Sequence, residues 1–134
     1  MLKDILIVDG YNVIFAWQSL KKLANESLEH ARMELRNQLL NYGKFKGYEV
    51  ILVFDGKYTK SIASIEEITK GFIEVYTDDG ETADSFIERE VFLRQGKYTN
   101  VYVVTSDGAE QNQILGSGGL RIPARELQND MRLA

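Results

Sequence analysis

The chain has 134 residues, 16 basic against 20 acidic for a formal balance of −4, with 44% hydrophobic and 27% charged residues. This is the profile of one ordinary globular domain spanning 1–134 and not of a disordered chain. The absence of cysteine excludes a disulfide framework, a thiol nucleophile, a thiolate zinc site and an iron–sulfur cluster, and a single histidine excludes multi-histidine zinc sites and serves a triad only if it stands beside the nucleophile, so an enzyme here is expected to rest on carboxylates.

The N-terminus, MLKDILIVDG, lacks the pattern of a cleavable leader, and no apolar run approaches the ~20 residues of a membrane helix. The expectation is a cytoplasmic protein with no membrane partner. The acidic balance argues mildly against nonspecific nucleic-acid binding, which draws on a basic surface.

In chain order, three runs are rich in β-branched and aromatic residues without polar alternation: Ile5 to Val8, Val50 to Phe54 and Val101 to Val104. They read as central strands of a parallel sheet, buried on both faces. Between the first two, Leu28, Ala31, Leu35, Leu39 and Tyr42 step by three and four, predicting an amphipathic helix with Ser27 as N-cap and Gly43 near its end. A weaker strand is predicted at Phe72 to Tyr76, then a helix from Thr82 to Gln95 with Gly96 at its end. A short helix follows from about Ala109 to Leu115, and Pro123 suits the first position of a last helix running to Met131. The stretch from Lys57 to Thr69 has apolar spacing too sparse to choose between helix and loop. Strands alternating with helices imply an α/β doubly wound sheet, which places its ligands at the carboxyl ends of the strands.

All three central strands run into aspartate: Asp9, Asp55, and Asp107 just past Ser106. In a parallel sheet these ends share one edge, while Asp4 stands at the other. The turn carrying Glu81 and Asp84 should open onto the same edge, with Thr82 as N-cap and Asp84 in the first helical turn. Each acid has a plain structural alternative, since Asp107 with Glu110 fits a capping box and the others fit turns or a helix dipole. Helix caps alone do not require five acids at one edge, however. Crowded carboxylates raise one another's pKa values, and a cation relieves them. Oxygen-only ligands suit Mg²⁺ or Mn²⁺, which can activate water for attack on a phosphodiester.

Around the acids, Asn12 and Ser106 could orient water or a phosphate. Lys57, Tyr58 and Lys60 follow Asp55 directly, and Arg121 and Arg125 flank the start of the last helix, where they could hold phosphates. Phe15 and Trp17 read as core residues before base-stacking ones, His30 as a surface residue, and the glycine run at Gly116 as a turn with no phosphate-loop pattern.

Asp9-Gly10-Tyr11-Asn12, Phe54-Asp55, Glu81-Thr82-Ala83-Asp84, Thr105-Ser106-Asp107, and Gly118-Gly119-Leu120-Arg121 with Ala124-Arg125-Glu126-Leu127 together resemble the NYN domain, more narrowly the YacP group of the PIN-like nuclease superfamily. The resemblance implies a PIN-like three-layer α/β/α sandwich around a mostly parallel sheet, and a Mg²⁺- or Mn²⁺-dependent endoribonuclease. Asp9, Asp84 and Asp107 fall on the family's acidic positions, with Asn12, Asp55 and Glu81 in support. A member of the group cuts mRNA in the ribosomal A site, so the similarity points to mRNA and ribosomes as partners. Such proteins usually continue into a basic extension, whereas this sequence stops at Ala134, so the expectation is either a truncated chain or one that depends on a partner to hold RNA.

The reading is a phosphodiester hydrolase in which Asp9, Asp84, Asp107 and Asp55 serve the metal, Glu81 and Asn12 assist, and Ser106, Lys57, Lys60, Arg121 and Arg125 hold RNA. The alternative is a noncatalytic RNA-binding or ribosome-docking module of the same fold. Setting the five site acids aside leaves 16 basic against 15 acidic residues, a balance of +1, so the acidic charge is in part the site itself.

Overall fold

The structure, a computed structural model, describes residues 2–58, 62–106 and 118–133. In chain order these form β1 (Ile5–Asp9), α1 (Gly10–Ala16), α2 (Gln18–Glu26), α3 (Leu28–Lys46), β2 (Glu49–Phe54), a 3₁₀ turn at Gly56–Tyr58, β3 (Ser64–Thr69), β4 (Phe72–Tyr76), α4 (Ala83–Arg94), β5 (Val101–Thr105), β6 (Leu120–Pro123) and α5 (Ala124–Leu133). The strands make one sheet in the order β3-β4-β2-β1-β5-β6. Every pairing is parallel except β3 with β4. The mixed α/β architecture with a mostly parallel sheet is the one implied by the sequence.

Successive side chains of a strand point to opposite faces, so each apolar run feeds two cores. Leu6, Val8, Val50, Leu52, Phe54 and Val104 pack beneath α1, α2, α3 and α5 with Ile14, Trp17, Leu35, Leu39 and Leu127. Ile5, Ile7, Ile51, Val53, Val101 and Val103 pack on the other face against Phe86, Ile87 and Val91 of α4. The result is three layers with β1 at the centre. The chain moves outward from β1 through β2 to β4, then returns to the other side of β1 as β5. The carboxyl ends beside β1 are therefore the switch point where such sheets bind ligands.

Both predicted caps form. Ser27 Oγ accepts from the His30 N–H, and Thr82 Oγ1 accepts from the Ser85 N–H. The structure corrects or completes the sequence reading at four points. The helix begun at Leu28 runs through Gly43 to Lys46 and ends at Gly47, whose φ of 75° is the left-handed conformation of a glycine cap. Two helices precede it that the sequence pattern does not announce, because the apolar series Val13, Ile14, Trp17, Leu20 is broken at Trp17, where the backbone is extended. Part of the undecided stretch after Lys57 is β3, an exposed edge strand held by pairing with β4. Pro123 closes β6, beside Thr105, and the last helix starts one residue later at Ala124. The helix expected near Ala109 to Leu115 lies outside the described residues, as do Lys60 and Asp107.

Candidate active site

β1 delivers Asp9 to the carboxyl edge of the sheet, where it is 5% exposed. Its Oδ2 accepts a hydrogen bond of 2.5 Å from the side-chain amide of Asn12, one turn along α1. Burial pushes the Asp9 carboxyl up to about 6; the Asn12 donor pulls it back, and the charges of Asp84 and Asp55 raise it further. A carboxyl held near neutrality by desolvation and like charge is the electrostatic mark of a functional site.

Asp55 follows β2 and ties two loops together. Its Oδ1 accepts from the Lys57 N–H at 3.0 Å, and its Oδ2 accepts from the Ala83 N–H at 3.4 Å at the start of α4. The loop is fixed from below by buried Thr77, whose Oγ1 accepts from the Gly56 N–H at 2.9 Å. Gly56 passes so close to the Thr77 carbonyl that a Cβ there would overlap it, so only glycine allows this approach. Asp84 stands exposed in the first turn of α4, where the helix dipole favours its charge. Asp9, Asn12, Asp55, Lys57 and Asp84 thus line one cleft, together with Tyr11, Phe15, Thr82 and Ala83.

The remaining predicted residues lie around it. Glu81 pairs with Arg89 of α4 and does not line the cleft. Ser106 follows β5, half-buried. Arg121 sits mid-strand on β6 opposite Val103, set back from the edge, and Arg125 lies on α5 along a separate groove. Among the described residues no group of three or more His, Cys, Asp or Glu side chains is placed to hold a metal ion. Asp107 is not among them.

Comparison with known proteins decides the family. A family model described as the YacP-like NYN domain matches residues 6–134. The chain belongs to the YacP-like NYN domain family. It is 41% identical over 129 residues to "Uncharacterized protein YacP" of Bacillus subtilis (strain 168), covering 96% of this chain and 75% of that one. It also matches the crystal structure of Rae1 (YacP) from Bacillus subtilis at 38% identity and a TM-score of 0.82, over 97% of this chain and 74% of that one. A crystal structure of a mutant of the same protein matches with a TM-score of 0.81, covering 97% and 75%.

Within this YacP-like site, three contributors were not legible as such. Phe15, read as core, is 47% exposed on the cleft rim, while Trp17 is 1% exposed and is the true core residue of the pair. Tyr11 packs its ring on Phe54 at 5.0 Å and receives a hydrogen bond of 3.3 Å on its hydroxyl from Arg32. Thr77 had no signal beyond its place after a strand. For Phe15 the signal was present: on the seven-residue helix α1 it falls between the buried positions Ile14 and Trp17, off the apolar stripe.

Proposed function

We propose that this protein is an Mg²⁺- or Mn²⁺-dependent endoribonuclease of the cytoplasm that hydrolyses single-stranded RNA, with mRNA on the ribosome as its substrate. The observation that carries the reading is buried Asp9, its carboxyl raised to about 6 and facing Asp55 and Asp84 across an open cleft. YacP-like NYN membership supports a nuclease-type activity.

The donor chemistry fits a hard divalent cation, because the cleft offers carboxylate oxygens and no sulfur or imidazole. Mg²⁺ usually keeps several waters and takes only one or two protein carboxylates plus substrate phosphate, so the described residues need not form a closed cage. Asp9 and Asp84 would hold the ion, with Asp55 beside them and Asp107 proposed as a further ligand. The ion would supply an acidified water and charge neutralisation at the phosphodiester.

The protein's own groups do the rest. Asn12 fixes the Asp9 carboxylate by its hydrogen bond. Asp55 holds the β2 and α4 loops at one spacing through its two backbone contacts. Lys57 lies at the rim to meet a phosphate, and exposed Phe15 offers a face to a base. Glu81, through Arg89, braces the turn that carries Asp84.

The test is cleavage of end-labelled RNA, free and on translating ribosomes, with Mn²⁺ or with chelator, comparing wild type with Asp84→Asn. Metal-dependent internal cuts that Asp84→Asn loses support the reading. A wild type that cuts neither substrate, or an Asp84→Asn that cuts equally well, sinks it and leaves a binding module.

A further inference from the structure

A second depression lies beside the cleft, between α2 and α5. Its lining includes Gln18 and Lys22 from α2 and Arg125, Gln128, Asn129 and Arg132 from α5, with no acidic side chain among them. The helical spacing explains this. Arg125, Gln128, Asn129 and Arg132 step by three, one and three and share one face of α5, and Gln18 and Lys22 are four apart on α2. The acids of α5 fall elsewhere: Asp130 is turned to the Tyr42 hydroxyl and Lys46, and does not line the groove. A chain with a formal charge of −4 has thus gathered three cations and three side-chain amides on one surface.

The two walls of the groove are tied together behind it. Trp17, at the break between α1 and α2, is 1% exposed and donates its indole N–H to the Ala124 carbonyl at 2.8 Å. This bond joins the start of α5 to the start of α2 and fixes the spacing of the two walls. Helix α1 borders both depressions, since Phe15 lines the cleft and the next residue, Ala16, lines the groove.

We infer that this groove carries the phosphodiester backbone of single-stranded RNA leading away from the candidate active site, with Lys22, Arg125 and Arg132 on phosphates and the amides on sugar and base edges. The inference rests on the nuclease reading for its direction of travel. Its chemistry is that of a backbone track: cations for phosphate, neutral donor–acceptor side chains for the rest, and an aromatic, Phe15, where the track enters the site. Arg125 and Arg132 stand about 10 Å apart along the helix, so the track spans more than one nucleotide. It would also let an acidic protein hold RNA, because no acidic side chain lines the groove that gathers these cations.

The experiment measures binding of a fluorescent single-stranded RNA by anisotropy across a salt series, in chelator. Lys22→Ala/Arg132→Ala is compared with wild type and with Lys3→Ala/Lys70→Ala, which removes the same charge at the other end of the sheet. All four side chains are exposed, and melting curves check that each variant is folded. The expected result is a several-fold weaker affinity for the groove variant and a salt slope smaller by about 1.4, near 0.7 for each phosphate no longer neutralised. The control keeps the wild-type slope. Equal slopes in the groove variant and wild type, equal losses in both variants, or no RNA binding by the wild type overturns the groove. A wild type that binds RNA with the expected slopes but never cuts it sinks the nuclease reading and leaves the groove standing.

Discussion

The Asn12 side-chain amide donates to Asp9 Oδ2 at 2.5 Å, while burial and two neighbouring aspartates push the same carboxyl toward its neutral form. Burial prevails, and Asp9 holds its proton to about pH 6, against 3.8 for an unperturbed aspartate. The folded state therefore binds more protons than the unfolded state between those values. Stability falls as pH rises through this window, and the loss is complete above it, about 3 kcal/mol for a shift of this size. Asp9→Asn should melt higher than wild type near pH 8 in chelator and converge with it near pH 4. Parallel melting temperatures for the two proteins across this range would contradict the assignment.

Metal should reverse that penalty. A cation bound by the folded site alone stabilises by mass action, about 2.7 kcal/mol at a hundred times its dissociation constant. Mn²⁺ titration at neutral pH should raise the wild-type melting temperature, while Asp84→Asn should respond far less at the same concentrations. The readout is thermal melting with Mn²⁺ against chelator. A shift of equal size in both proteins would remove Asp84 from the ligand set.

The parts of this architecture legible in the sequence are those where one physical signal dominates. The runs Ile5 to Val8, Val50 to Phe54 and Val101 to Val104 announce buried parallel strands because no charged residue interrupts them, and Ser27 and Thr82 announce helix starts because their side chains can accept the orphan N–H groups. What was not legible depended on tertiary pairing. The stretch from Ser64 to Thr69 is a strand only because β4 pairs with it, its own side chains being mostly exposed. Leu120 to Pro123 pairs with β5 over four residues, too short a run to display a period. In the site, sequence could place Asp9 and Asp55 at one edge, but Thr77 under Gly56 and Arg89 on Glu81 are set by loop geometry that carries no local pattern.

Arg36 reaches from α3 to Glu74 of β4 with two hydrogen bonds of 2.7 Å, and Glu74 is 1% exposed. Removing the cation leaves a buried carboxylate without its countercharge, a change that typically destabilises by about 3–5 kcal/mol. Because Arg36 is itself partly exposed, Arg36→Met should fall at the lower end, near about 3 kcal/mol. Arg36→Met/Glu74→Leu should recover most of that loss, since an apolar pair of similar volume needs no compensation. Urea unfolding of both variants checks this. A double variant no more stable than Arg36→Met would show that the pair acts through packing alone.

Trp17 offers the sharpest separation of local from global effects. Its indole bond to the Ala124 carbonyl, at 2.8 Å, spans 107 residues of sequence and joins the α1–α2 junction to α5. Trp17→Phe keeps an aromatic ring in the core but removes this bond, leaving the Ala124 carbonyl with its helical partner alone, and opens a gap beside it. The combined loss should be about 1–3 kcal/mol, with the melting temperature falling by several degrees. The effect should concentrate where the bond acts. Amide hydrogen exchange in α5 should quicken by more than the change in global stability accounts for, while β1 and β2 follow the global change alone. Uniform quickening across sheet and helices would mean that Trp17 serves only as core volume, and that another contact holds α5 against the sheet.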